Sequence, residues 1–266
     1  MEKNLRRIDP SSFSISANIP RANMPPSSEE AAIPMEETCP ICKGAGYFCM
    51  DVPINDPNFG HLITCQCKLA EKEGRQRDKL WQQSNLQAFE TKNFDTFNSH
   101  IVGVNESFAR AKAFAQAPKG WLLLVGGYGC GKTHLAAAIA NEAVRREYQT
   151  IFMVVPDLLD YLRSTFGPNS EVAYDERFDK IRSIQLLVLD DLGAESSTAW
   201  AREKLFQIIN HRYNNHLPTV FTTNVDLDKL DPRIASRLLD VELCRQTVIQ
   251  AKDYRQTTRN NNIRYK

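Results

Sequence analysis

The sequence predicts an α/β fold: a parallel sheet covered by helices on both faces, with a small cysteine-bearing module ahead of it. Three observations carry this. Short apolar runs recur at residues 121–125, 151–155 and 186–189, and Thr219 to Thr223, centred on Val220 and Phe221, reads as a fourth strand. Stretches with helical spacing separate them, and strands that are apolar throughout are buried on both faces. Upstream, four of the seven cysteines fall into two close pairs.

Length and composition bound the rest. The chain has 266 residues, 42% hydrophobic and 24% charged, enough for one sizeable α/β domain and something smaller. A net charge of +1 gives no global attraction to polyanions, so any such binding needs a local patch. No apolar run approaches the roughly 18 residues that span a bilayer, so no membrane partner is expected. Met1-Glu2-Lys3-Asn4-Leu5-Arg6-Arg7 is not followed by an apolar stretch. No signal peptide is therefore expected, and a cytoplasmic location is.

Along the chain, residues 1–37 are rich in Pro, Ser, Asn and charge and read as a flexible tail, or as a segment that folds on binding. Residues 38–68 form the cysteine unit. Residues 69–92 read as a linker helix whose basic side chains alternate with Glu71, Glu73 and Asp78, as on a solvated face. Residues 93–266 are the α/β domain. After the 121–125 strand, Leu135, Ile139, Ala143 and Val144 share one helical face. Pro156 and Asp157 open a helix after the second strand, and a helix over 199–215 precedes the fourth.

The run Gly126-Gly127-Tyr128-Gly129-Cys130-Gly131-Lys132-Thr133 matches G-x-x-x-x-G-K-[ST], with an apolar strand before it and an amphipathic helix over Thr133 to Arg146 after it; with His134 it makes up the expected nucleotide-binding loop. Glycines let such a loop curl until its amides converge on phosphate oxygens, and the helix N-terminus adds a favourable dipole. Lys132 is placed to reach the β- and γ-phosphates of ATP and Thr133 to ligate Mg²⁺. Leu186-Leu187-Val188-Leu189-Asp190-Asp191 is an apolar strand ending in two carboxylates, a Walker B pattern. Asp190 is expected to hold Mg²⁺, directly or through water. Asp191 is expected to orient and polarise the attacking water.

Cys39-x2-Cys42 and Cys65-x-Cys67, separated by 22 residues, offer four thiolates for tetrahedral Zn²⁺. Gly44 and Gly46 let backbone amides turn towards sulfur. Cys49 and His61 are spare ligands, and an iron–sulfur cluster is a minor alternative. Four protein ligands leave no open position, so the site reads as structural. Residues 38–68 hold too few apolar residues to fold alone.

Further residues define a branch. Thr222-Thr223-Asn224 ends the next strand, and Asn224 resembles sensor 1 of AAA+ ATPases. Pro232-Arg233-Ile234-Ala235-Ser236-Arg237-Leu238 resembles the box carrying the arginine finger, with Arg237 the first candidate and Arg233 the second. With Phe94-Asp95-Thr96-Phe97, Val155-Pro156-Asp157-Leu158-Leu159 and Leu189-Asp190-Asp191-Leu192-Gly193, the run from Phe94 to Tyr254 resembles the bacterial replicative helicase loaders and their relatives, the ATP-binding proteins of insertion sequences. The resemblance implies an AAA+ P-loop fold and an ATPase whose protomers assemble through Arg237. It also implies contact with single-stranded DNA and docking on the replicative helicase through the N-terminal module. In such proteins Phe94 and Phe97 lie where adenine binds; packing against adenine or against the core suits both.

This chain departs from the pattern in two places. The second Walker B acid is Asp191 where most AAA+ proteins have Glu. The sequence after Arg255 is too short for a helical lid, so Arg255 is a weak substitute for a lid-borne sensor 2. Tyr161-Leu162-Arg163-Ser164-Thr165-Phe166 and Glu195-Ser196-Ser197-Thr198-Ala199-Trp200 are candidate DNA contacts, although Phe166 and Trp200 suit a core equally. A transposition ATPase partnered with an integrase, and a nucleotide-gated adaptor with little turnover, are the alternatives.

Overall fold

A computed structural model describes residues 5–6, 39–50, 53–54, 56–57, 59–164, 171–194 and 198–254. The tail expected over 1–37, apart from Leu5–Arg6, lies outside these residues. So do Arg255, Thr165, Phe166 and Glu195 to Ser197. The chain divides into two compact units, Met1–Arg75 and Gln76–Lys266.

In the first unit β1 (Leu5–Arg6), β2 (Tyr47–Met50) and β3 (Leu62–Thr64) form an antiparallel sheet in the order β1-β2-β3. Helix α1 (Gln66–Gln83) begins between the two cysteines of the second pair. It ends earlier than the linker read from composition, because Asn85 takes a left-handed φ of 60° that breaks the helical path. Beyond that break Leu86 is fully buried among the residues of the larger unit's core, with Phe89 packed against it.

The second unit continues with α2 (Asn105–Gln116), β4 (Trp121–Gly126), α3 (Lys132–Arg145), β5 (Thr150–Val154), α4 (Val155–Arg163) and α5 (Glu171–Ser183). Strand β6 (Leu186–Asp190), helix α6 (Ala199–Asn214), β7 (Thr219–Thr223), α7 (Pro232–Leu238) and β8 (Cys244–Ile249) complete it. The strand order is β5-β6-β7-β4-β8, and every pairing is parallel. Strands β6 and β7 are buried at every position, as continuous apolar runs in a doubly covered sheet require.

Two cores flank the sheet. One holds Leu123, Leu187, Leu189 and Phe221 with residues of α4, α5, α6 and α7; the other holds Leu122, Leu124, Val188 and Val220 with residues of α2 and α3. Arg212 is fully buried on α6. It donates to Thr219 Oγ1 (2.8 Å) and to the carbonyls of Arg182 (3.1 Å), Ile184 (2.8 Å) and Pro218 (2.6 Å), closing the lower ends of β6 and β7. Burial without a counter-ion lowers its pKa to about 9. Among the described residues no helix is long and apolar enough to cross a membrane.

Candidate functional site

The loop between β4 and α3 is shaped by two glycines. Gly129 has φ 67° and Gly131 φ 102°, and a β-carbon on Gly131 would lie 2.9 Å from the Phe97 ring. Gly131 stands at the N-cap of α3, so the first amides of that helix open into the loop. Lys132 is buried, and its Nζ donates to the carbonyls of Gly126 (3.0 Å) and Gly127 (2.8 Å), folding the side chain back across the loop. Cys130 is buried against the α2–α3 core, whereas Tyr128 is 76% exposed at the rim.

Strand β6 delivers Asp190, 2% exposed, to the floor beside the loop. The Thr222 hydroxyl of β7 donates to Asp190 Oδ1 at 2.6 Å and accepts the Asp191 amide at 2.9 Å. Burial holds the Asp190 carboxyl above the usual carboxylate range. The Thr222 bond opposes this, Asp191's charge adds to it, and Thr133 and Lys132 oppose it. Asp191 has φ 57°, a left-handed conformation that Asp tolerates better than most residues. The Thr223 hydroxyl donates to the Leu192 carbonyl at 2.7 Å, and the Leu192 amide to the Thr222 carbonyl at 2.8 Å. The end of β7 therefore fixes the turn that carries both carboxylates.

A cavity of about 430 Å³ opens over these groups. Its lining brings together Tyr128, Gly129, Cys130, Gly131, Lys132, Thr133, His134, Asp191 and Asn224 of the expected set; Gly126, Gly127 and Asp190 are not among its lining residues. This volume suits a nucleotide-sized ligand. The lining also holds Thr96, from the Phe94-Asp95-Thr96-Phe97 motif, and residues that the motif reading passes over: Asn98, Ile101 and Val104 before α2, and Ala251, Lys252 and Tyr254 after β8. Phe97 lines the cavity, while Phe94 packs into the core against Phe108. The His134 imidazole lies 3.0 Å from the Asn93 carbonyl and 3.3 Å from the Thr96 hydroxyl. Burial lowers its pKa, the Asn93 carbonyl opposes that, and Lys92 adds to it; a neutral ring donating Nε2–H to Asn93 fits.

Arg237 does not line the cavity. Its guanidinium donates to the Arg233 carbonyl (2.7 Å) and to Asn210 Oδ1 (2.6 Å), above the rings of Phe206 and Tyr213. Arg233 is ion-paired with Asp231 (2.9 Å) and Glu203 (3.1 Å). Among the described residues Arg237 has no carboxylate partner, so it is the arginine left with charge to offer.

In the smaller unit the sulfurs of Cys39, Cys42, Cys65 and Cys67 all lie within 4.8 Å of one another, with Cys39–Cys65 at 3.8 Å and Cys42–Cys67 at 3.3 Å. Tetrahedral coordination with metal–sulfur bonds of about 2.3 Å places sulfurs about 3.8 Å apart, so the donor set fits one ion. The hydrogen bond from Cys67 lowers the Cys42 thiol to about 6, helped by the amides of Gly46 and Gly44. Amides of Cys42 and Ile41 lower Cys39. The Cys42–Cys67 bond pushes the Cys67 thiol up to about 12, so Cys39 and Cys42 are the two thiols favoured as thiolates before an ion binds. Cys49 and His61 are not in the cluster.

Residues 67–262 match the family described as IstB-like ATP binding protein. The replicative helicase loader DnaI of Bacillus subtilis is 35% identical over 121 residues, 45% of this chain and 38% of that protein. The replicative helicase loader DnaC of Escherichia coli is 25% identical over 150 residues, 55% of this chain and 61% of that protein. The chain thus spans less than two thirds of these relatives. Among solved structures, the DnaC helicase loader is 26% identical with a TM-score of 0.55, covering 62% of this chain and 99% of that one. The replication initiator DnaA bound to AMPPCP and single-stranded DNA, 21% identical with a TM-score of 0.53 over 65% of this chain and 56% of that chain, shares the fold. A five-stranded parallel sheet, a phosphate loop after β4, two carboxylates at the end of β6 and a match over most of the chain lead to one assignment: this protein belongs to the IstB-like ATP binding family and has the AAA+ P-loop fold.

Proposed function

We propose that this protein is an ATP-dependent replicative helicase loader: it binds Mg²⁺-ATP, assembles with the replicative helicase and single-stranded DNA in the cytoplasm, and hydrolyses the nucleotide. The observation that carries this reading is Lys132 and Asp191 lining one cavity, with the Thr222 hydroxyl bonding both Asp190 and the Asp191 amide, in a chain similar to proteins named as helicase loaders. Loop amides and Lys132 bind the phosphates. Thr133 and Asp190 would hold Mg²⁺, which supplies charge neutralisation to the transferring phosphoryl group. Asp191 and Asn224 orient the attacking water. Arg237 reaches the nucleotide of an adjacent protomer, which makes each site one half of a subunit interface. The four cysteines hold structural Zn²⁺, and the module they staple docks on the helicase.

The DNA reading has its own support. Arg163 stacks over the Trp200 ring at 5.2 Å and Arg177 over Tyr161 at 5.3 Å, so the described parts of the two candidate stretches meet in one patch of cations and aromatic rings. The test is gel filtration of the full chain with its own replicative helicase and labelled single-stranded DNA, with and without Mg²⁺-ATP. Nucleotide-dependent co-elution supports the loader. Absence of both associations sinks it. The family description favours a second reading, a transposition ATPase working with an integrase. Preference for duplex DNA and co-elution with an integrase in place of the helicase distinguish it.

A further inference from the structure

After β8 the chain turns across the mouth of the cavity and is pinned at two points. The Gln250 amide donates to the Gly103 carbonyl at 3.3 Å, and the Tyr254 amide to the Gly129 carbonyl at 3.1 Å. Both glycines are needed for this approach. A β-carbon on Gly103 would lie 3.0 Å from the Gln250 carbonyl carbon, and one on Gly129 would overlap the Asp253 carboxylate. Residues 250–254 thus form a strap from the loop before α2 to the phosphate loop. Ala251, Lys252 and Tyr254 line the cavity, and Asp253 packs on Gly129.

Three lysines line the cavity: Lys92, Lys132 and Lys252. Lys132 already spans two carbonyls of the loop. Lys92 is drawn aside over the Phe89 ring at 4.8 Å. Lys252 is exposed and, among the described residues, has no hydrogen bond or ion pair. A triphosphate with one Mg²⁺ brings net negative charge to a site that already holds Asp190 and Asp191. An unpaired ammonium on the wall is then the available compensating charge.

Resting on the nucleotide reading above, we propose that Lys252 is a second phosphate-binding cation of this site, and that Asp253 is the residue that positions it by anchoring the strap on Gly129. Occupancy of the cavity by a phosphorylated nucleotide then adds a Lys252–phosphate contact to those that already pin the strap on the phosphate loop. The strap becomes the part of the site that reports phosphate charge to whatever follows residue 254.

The test is competition binding of ATP, ADP and adenosine to the full chain, against a fluorescent ATP analogue, for wild type, Lys252→Ala, Lys252→Arg, Asp253→Asn and Lys252→Ala/Asp253→Asn. Lys252 is exposed, so its removal leaves folding intact, and matching melting curves check this. Lys252→Ala is expected to weaken ATP about tenfold, equivalent to about 1.4 kcal/mol, with adenosine unchanged and Lys252→Arg close to wild type. Asp253→Asn is expected to weaken ATP by a smaller factor that adds little to Lys252→Ala, because both act through one contact. Unchanged ATP affinity in Lys252→Ala, or equal loss for ATP and adenosine, overturns the role of Lys252. Fully additive losses overturn the role of Asp253. Failure of wild type to bind ATP, with no further change in Lys132→Ala, removes the nucleotide reading itself and the strap's role with it.

Discussion

Thr222 holds the Asp190 carboxylate and the Asp191 backbone amide with one hydroxyl, and replacing it by the near-isosteric Val isolates that function. In Thr222→Val the buried Asp190 carboxylate loses a 2.6 Å donor and the Asp191 amide loses its acceptor. A hydrogen bond to a charged group contributes about 1.5–3 kcal/mol, and an amide left without its partner costs about 1 kcal/mol more, so the loss is about 3 kcal/mol. For a folding unit of this size that lowers the melting temperature by roughly 6–12 °C. The pH dependence is an independent readout. Asp190 already titrates above the usual carboxylate range because it is buried, and the Thr222 bond opposes that shift. A carboxyl raised on folding costs stability when ionised. The cost is present at neutral pH and disappears as pH falls below the ordinary carboxylate value. Mg²⁺ needs the ionised form, so Mg²⁺-ATP binding fades as pH falls through the raised value. Thr222→Val raises that value further and moves the acid limb of binding to higher pH, while Thr222→Ser keeps both properties. Differential scanning calorimetry and nucleotide titration between pH 4.5 and 8 read the two effects. A variant that melts within about 2 °C of wild type with an unmoved acid limb refutes the hydroxyl's role.

Other consequences are equally direct. Gly131→Ala places a β-carbon 2.9 Å from the Phe97 ring at a φ of 102°, so ATP binding measured by titration should fall by more than about tenfold, a loss of at least about 1.4 kcal/mol. Arg237→Ala should leave ATP binding nearly intact but slow hydrolysis by about 10³-fold, and mixing it with Lys132→Ala protein should restore turnover, since one supplies the site and the other the finger. Mixtures as inactive as their parts contradict action across a subunit boundary. Cys39→Ser/Cys42→Ser should lose bound zinc by elemental analysis, whereas Cys49→Ser should keep it. Arg212→Met removes all four bonds at the base of β6 and β7 and should cost about 3–5 kcal/mol by denaturant titration.

The strands that were legible in the sequence are those buried on both faces. Strands β4, β5 and β6 are apolar runs because helices cover both sides, and such a run needs no partner to be recognised; β7, Thr219–Thr223, is as buried but carries three threonines around Val220 and Phe221. Strand β8 is different: Cys244, Thr247 and Ile249 are buried, while Arg245 and Gln246 on the sheet edge face out, which leaves a polar stretch with no continuous run. Helix α2 buries small residues, Ser107, Ala111 and Ala115, and offers little hydrophobic contrast. Helix α5 carries Tyr174, Phe178 and Ile181 at helical spacing inside an otherwise charged segment.

The same division holds at the site. The phosphate loop and the carboxylates are contiguous motifs whose chemistry fixes their spacing, so they can be read locally. Thr222 reads as one of two threonines ending a strand, and only the register of β6 against β7 puts its hydroxyl between Asp190 and Asp191. Thr96, Ile101, Lys252 and Tyr254 reach one cavity from opposite ends of the domain, a placement set by the sheet order and by no local pattern. Arg212 looks like a surface arginine on a helix until the turn before β7 folds over it.

Phosphate release from Mg²⁺-ATP by wild type, Asp191→Asn and Lys132→Ala tests the account most directly, because each substitution removes one function from the same cavity. The account predicts turnover by wild type. Asp191→Asn should bind ATP normally with a rate lower by at least about 10²-fold, and Lys132→Ala should lose binding. Equal rates for wild type and Asp191→Asn, or unimpaired ATP binding by Lys132→Ala, would contradict it.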